Sequence, residues 1–235
     1  MFLALCLSVN AQTPGSTWGA TGNSSPTEKD NVIKSLYLEQ GFELFHEGTF
    51  ALVPYASLTG TLDTKGYEWN NRVIGVGGVK LVKNFPNGMI SFGAGYATEY
   101  RKGGTQKSSH LIQATYWFGW NQCDKFPGSS WGVAGHVSPA ERNNFIATSY
   151  VQQGVRIAKV GCVSIVPFAE GAVSCDSHGY DWNNRAIYGA GVKAVIPGKR
   201  GATELGTSYQ RENRFKSGVS ASTVTLFVKF WFGWR

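Results

Sequence analysis

The sequence predicts an all-β fold: a twelve-stranded antiparallel transmembrane β-barrel built from two tandem six-stranded repeats. Three observations predict it. First, the stretch Asp63-Thr64-Lys65-Gly66-Tyr67-Glu68-Trp69-Asn70-Asn71-Arg72 returns 113 residues later as Asp176-Ser177-His178-Gly179-Tyr180-Asp181-Trp182-Asn183-Asn184-Arg185. Trp18/Trp131, Tyr37/Tyr150, Gln40/Gln153, Val53-Pro54/Val166-Pro167, Lys80/Lys193 and Glu99/Glu212 keep the same spacing, so the chain is one unit written twice. Second, aromatic residues make up 14% of the chain and glycine contributes 30 residues against 2 methionines, a composition of strands and turns. Third, only 16% of the 235 residues are charged, yet no apolar run is long enough for a membrane helix. The apolar surface then belongs to one face of strands.

The formal charge of +7 admits an acidic partner such as lipopolysaccharide phosphate, an anionic polysaccharide or nucleic acid, but the favoured reading is dispersed charge without a dedicated partner. Its basic residues are dispersed, which argues against nucleic acid. Residues 1–11 read as the remnant of a signal peptide, with Val9 and Ala11 at the positions a signal peptidase inspects. Acylation at Cys6 is disfavoured because Leu5 precedes it. The remainder, 12–235, is expected to be a single barrel, with repeat one at 15–120 and repeat two at 128–235. Cys123, Cys162 and Cys175 have no repeat counterparts and no metal-like spacing, so neither a disulfide framework nor a metal site is expected, although a Cys162–Cys175 bridge is left open.

Each half divides into six strand-like segments: 16–25, 32–46, 49–63, 70–83, 89–101 and 109–120, then 129–138, 145–158, 162–175, 184–196, 202–214 and 220–235. Glu47-Gly48 and 84–88, with Val160-Gly161 and 197–201, are tight hairpin turns on one side. Longer polar breaks lie on the other side. Twelve strands with both ends on the short-turn side make a barrel with even strand number.

Period-two alternation assigns the faces. Ile90, Phe92, Ala94, Tyr96 and Tyr100 point one way and Ser91, Gly93, Gly95, Ala97, Glu99 and Arg101 the other. In the last segment Val224, Leu226, Val228, Phe230, Phe232 and Trp234 share a face. Because the polar face is rich in Gly, Ala and Ser rather than in Lys and Glu, it reads as a crowded barrel interior. The competing fold is a soluble β-sandwich that binds carbohydrate, whose strands would be shorter. Trp18, Trp69, Trp120, Trp131, Trp182 and Trp234 lie near segment ends and are expected to form interfacial girdles.

By parity Asp63, Arg72, Lys80, Glu99 and Arg101 face the lumen, as do Asp176, Arg185, Lys193, Glu212 and Arg214. The first expectation is ion pairs that close the lumen and fix register; the second is two rings of charge selecting an ionic solute. Tyr67, Trp69, Asn70 and Asn71, with Tyr180, Trp182, Asn183 and Asn184, fall in long loops. They are either turn-forming residues or platforms for a glycan, with rings against sugar C–H faces and amides on hydroxyls. Gln40 and Gln153 interrupt apolar outward faces without evident reason. His46, His110, His136 and His178 have no repeat partners, and no nucleophile or metal motif occurs. The expectation is therefore not an enzyme, and no cofactor. A lipid-modifying barrel hydrolase is the remaining catalytic alternative.

At Val53-Pro54-Tyr55-Ala56, 63–72 and Gly75-Val76-Gly77-Gly78-Val79-Lys80 the chain resembles the C-terminal barrel region of outer-membrane phage adsorption protein A and related exopolysaccharide-export proteins. The resemblance implies residence in the outer membrane of a Gram-negative bacterium, in contact with its lipid, and a role as a pore or surface receptor in polysaccharide export or phage attachment. Relatives of that kind carry a helical-repeat periplasmic region before the barrel. Export by this chain would then imply a separate periplasmic partner.

Overall fold

A computed structural model of the protein describes residues 15–234 apart from 24, 122, 123, 137 and 142. The segment 1–11, Cys6 and Cys123 therefore lie outside the described residues. The first half contributes β1 (Gly15–Asn23), β2 (Val32–Gly41), β3 (Phe45–Glu47), β4 (Phe50–Asp63), β5 (Arg72–Phe85), β6 (Gly88–Arg101) and β7 (Gln106–Trp120). The second contributes β8 (Gly128–His136), β9 (Phe145–Gly154), β10 (Ala158–Val160), β11 (Val163–Asp176), β12 (Arg185–Gly198), β13 (Gly201–Arg214) and β14 (Ser220–Trp234). One 3-10 turn follows β1 (Pro26–Glu28) and another follows β8 (Pro139–Glu141). Elements through β6 recur in β8–β13 at the 113-residue spacing of the sequence.

Twelve of these strands form one closed antiparallel ring, because β14 pairs with β1 from Gly15↔Trp234 onward and β9 pairs directly with β11. A single ring overturns the sandwich alternative, which needs two sheets. The segment expected at 32–46 breaks into β2 and the short β3, and its counterpart into β9 and β10. Proline explains the break. Between Gly41↔Tyr55 and Phe45↔Leu52 three residues face two, and the Phe42 N–H reaches the carbonyl of Pro54, which has no N–H to return. Val155 makes the same bond to the carbonyl of Pro167. The repeated Val-Pro is therefore a bulge that peels β3 and β10 off the ring at the short-turn end.

The outer face is apolar. Leu36, Leu38, Leu58, Ile90, Phe92, Ile112, Val173, Val224 and Leu226 are all exposed, a continuous belt that a water-facing surface does not carry. A ring without an edge satisfies its own backbone, so it can lie in lipid. Strands of 14 and 15 residues exceed the 9–11 or so that a tilted span requires. The molecule is thus a membrane-spanning barrel of the outer-membrane type.

The girdle at the short-turn end is made by Trp120 and Trp234. Each covers a glycine on the neighbouring strand, Gly128 and Gly15, where an added Cβ would come within 2.3 Å and 2.1 Å of the indole. Their indole N–H groups donate to Gln153 (2.9 Å) and Gln40 (2.7 Å). These two bonds account for the glutamines on an otherwise apolar face: each satisfies an indole N–H at the membrane boundary. Trp18 and Trp131 do not join the girdle. They stack on Tyr37 and Tyr150, whose hydroxyls donate to Glu39 and Glu170 in the interior. Strand parity, not nearness to a strand end, decides their side.

Candidate functional site in the lumen

At the loop end the interior is closed by two equivalent lids. Glu99 and Glu212 are fully buried. Glu99 accepts from Arg72 Nη1 (3.3 Å) and Arg101 Nε (2.7 Å) at one oxygen, and from Ser138 Oγ and the Ala140 N–H (3.1 Å) at the other. Glu212 accepts from Arg185 (3.3 Å), Arg214 (3.0 Å) and both the N–H and hydroxyl of Thr27. In each case a 3-10 turn folds inward onto the carboxylate of a strand it does not adjoin. Four donors per carboxylate are what makes burial of the charge tolerable.

Asp63 and Asp176 sit above these lids and tie the long loops rather than facing open lumen. Asp63 accepts from the amides of Asn31, Asn70 and Asn71 and from the Tyr67 N–H. Asp176 does the same with Asn144, Asn183, Asn184 and Tyr180. Gly66 and Gly179 take φ of +71° and +68° to turn the chain back onto the carboxylate. The asparagines are thereby committed to the knot, while the rings stay outside it: Tyr67 stacks on Trp69 at 4.8 Å and Tyr180, met edge-on by His178, stacks on Trp182 at 4.7 Å, with both tryptophans about half exposed. Asp181 braces the next loop. Burial pushes its carboxyl up, but donation from the Ser217 N–H and Oγ and from Arg214 outweighs this and holds it below the usual carboxylate range.

Lys80 and Lys193 lie deeper and are not brought to the arginines. Lys80 pairs with Glu39 at 2.6 Å and lies over the Tyr55 ring. Lys193 pairs with Glu204 at 2.6 Å and also donates to Gln152. Around them the halves diverge. In the first, Ile74, Ala97 and Leu111 pack with Val76 into an apolar cluster. The equivalent second-half positions hold Ile187, Gln210, Thr225 and Gly189, and there the lumen opens into a cavity of about 270 Å³.

Its polar lining includes Ser35, Tyr150, Glu170, Gln210, Thr225 and Lys229. Tyr150 Oη and Gln210 Nε2 each donate to Glu170 at 2.8 Å, and Lys229 Nζ lies 4.0 Å from the same carboxylate. The first half has Ser57 and Thr115 where the second has Glu170 and Lys229. Sequence reasoning missed these residues because it selected for repetition, and the cavity is built from what is not repeated. The usable signal was the appearance of charge at one copy of a paired position.

At the short-turn end Trp18, Trp117, Trp131 and Trp231 face the lumen. Trp18 is the register partner of Trp231, Trp117 that of Trp131, and Trp117 meets Trp231 at 6.4 Å from the opposite side of the ring. Among the described residues no group of His, Cys, Asp and Glu is arranged to hold a metal ion, and Cys162 and Cys175 are both free thiols.

No protein family matches the chain, and no curated protein matches it. Among solved structures it is similar to the β domain of the Bordetella autotransporter BrkA, with 12% identity, a TM-score of 0.41, and 94% of this chain and 98% of that one covered. A bacterial polysaccharide outer-membrane secretin gives 11% identity, a TM-score of 0.42 and coverage of 95% and 99%. The outer-membrane channel DcaP of Acinetobacter baumannii gives 8%, 0.38, and 95% and 97%.

Proposed function

We propose that the protein is a non-enzymatic pore of a Gram-negative outer membrane, admitting a small polar solute through the cavity in its second half. The observation that supports this most directly is the cavity itself: a carboxylate, an ammonium, an amide and three hydroxyls converge on space that the first half fills with apolar side chains. An anion and a cation side by side suit a zwitterionic or hydroxyl-rich solute better than a simple ion. The test is single-channel recording of detergent-purified protein in planar bilayers. The wild type should conduct, Glu170→Gln and Lys229→Met should shift ion selectivity in opposite directions, and a bilayer that stays silent would overturn the reading.

A second reading, as a surface receptor, is favoured by the stacked Tyr67–Trp69 and Tyr180–Trp182 pairs at the loop end. Together with the resemblance to polysaccharide-export and phage-adsorption barrels, it assigns a glycan or a phage protein to these platforms and a periplasmic partner to any export role. Replacing Trp69 and Trp182 by alanine should abolish such binding while the barrel stays folded; retained binding would exclude the platforms.

A further inference from the structure

We propose that the short-turn mouth of the lumen is a separate binding site for the pyranose ring of an uncharged sugar, formed by Trp18, Trp117, Trp131 and Trp231. The proposal rests on reading the chain as a barrel whose lumen takes up solute, and adds a ligand class and a side of entry. These four indoles are 40–46% exposed although strand parity turns them inward, away from lipid. Apolar surface of that size inside a lumen has neither membrane nor packed core to cover it.

The arrangement is continuous. Tyr37 stacks on Trp18, Trp18 is paired with Trp231, Trp231 meets Trp117, Trp117 is paired with Trp131, and Trp131 stacks on Tyr150. An aromatic band therefore crosses the full width of the ring, with its midpoint at the contact between the halves. Flat apolar faces select a ligand with a flat apolar face, as the C–H face of a pyranose presents. Behind the band lie Lys80 with Glu39 and Lys193 with Glu204. Those groups offer hydrogen bonds to hydroxyls, yet they are charge-balanced and create no field for an ion. An uncharged sugar satisfies both layers; a metal ion or a phosphate satisfies neither.

The experiment is isothermal titration of detergent-purified protein with cellotetraose. Binding should be measurable in the wild type, weakened about tenfold, the equivalent of one lost stacking contact, in Trp117→Ala and in Trp231→Ala, and retained in the double variant Trp117→Phe/Trp231→Phe. A Trp69→Ala/Trp182→Ala variant should bind as the wild type does. Absence of binding by the wild type at tens of millimolar sugar, or loss of binding only in the loop variant, would overturn the proposal. Should an alanine variant fail to fold, protection of Trp117 and Trp231 from N-bromosuccinimide by cellotetraose in the unaltered protein decides the matter, and lack of protection counts against the site. Conductance in bilayers is read independently, so a failed vestibule and a failed pore are told apart.

Discussion

The loop-end lids of the two halves share one plan, Arg72, Glu99 and Arg101 on one side and Arg185, Glu212 and Arg214 on the other, each carboxylate roofed by an inward 3-10 turn, although the hydroxyl donor is Ser138 in one and Thr27, the counterpart of Ala140, in the other. One layer deeper the likeness ends, with Ile74, Val76, Ala97 and Leu111 closing the first half and Ile187, Gln210 and Thr225 lining a cavity in the second. Within a duplicated ring, residues that must hold strands together are constrained in both copies. Residues that only line the space between them are free to differ in one. Repetition therefore marks scaffold here, and asymmetry marks the place to look for a ligand.

The comparison can be broken first at the lids. Among the described residues, Glu99→Ala strands Arg72 and leaves Arg101 with Glu141 alone, whereas after Glu212→Ala Arg214 keeps Asp181 and Glu28; each should cost about 3–5 kcal/mol, the first more than the second, when urea unfolding of vesicle-inserted protein is followed by heat-modifiable migration. Equal losses would mean that the outer partners of Arg214 contribute nothing. Transplanting the larger first-half side chain into the second, with Thr225→Leu, should narrow the cavity and lower single-channel conductance while leaving the unfolding midpoint within about 1.5 kcal/mol of the wild type, whereas Gln210→Ala, which removes volume and a donor to Glu170, should widen it. The reciprocal pair Ala97→Gln and Leu111→Thr in the first half should be the more destabilising, because it buries polar groups in a packed cluster.

Smaller effects sharpen the comparison at the girdle. Gln40→Leu removes the partner of the Trp234 indole and should cost about 1 kcal/mol. Gln153→Leu should cost more than a single indole bond, since the Gln153 amide also reaches the carbonyls of Phe126 and Pro127. A loss of only about 1 kcal/mol there would place the whole effect in the indole bond. The smallest effect concerns Asp181, which stands where the first half has Glu68. Its carboxyl is held below the usual range, so what it contributes is present at neutral pH and is lost only as pH falls through that lowered value. Exchange protection of the Ser217 amide should persist in mild acid and disappear below it, and Asp181→Asn should weaken it at neutral pH.

Much of this architecture was legible in the sequence. Strand number, turn side and the outward setting of Ile90, Phe92 and Val224 follow from period-two alternation and glycine placement, because a ring with lipid outside permits only one phase per strand. Trp18 and Trp131 were misplaced because their strands, rich in Gly, Ala, Ser and Thr on both faces, give parity nothing to grip; only pairing with Tyr37 and Tyr150 reveals their side. The Val53-Pro54 bulge was visible as a motif but not as a bulge, since the missing N–H matters only once its cross-strand neighbour is known. Enclosed space was the least legible feature. It arises where Glu170, Gln210 and Thr225 come together across the lumen, from strands whose meeting the one-dimensional string does not state.

The seam that closes the ring, β14 against β1 with Trp234 lying over Gly15, is built like the internal seam of β7 against β8 with Trp120 lying over Gly128. A gene rearranged to begin at β8 and finish at β7, with a short linker joining the old ends, would exchange the two seams and leave every ladder in place. Circular permutation between β7 and β8 is thus open to this chain, and it would bring the strands that line the cavity, β9 and β11–β14 with β1 and β2, into one run along the sequence.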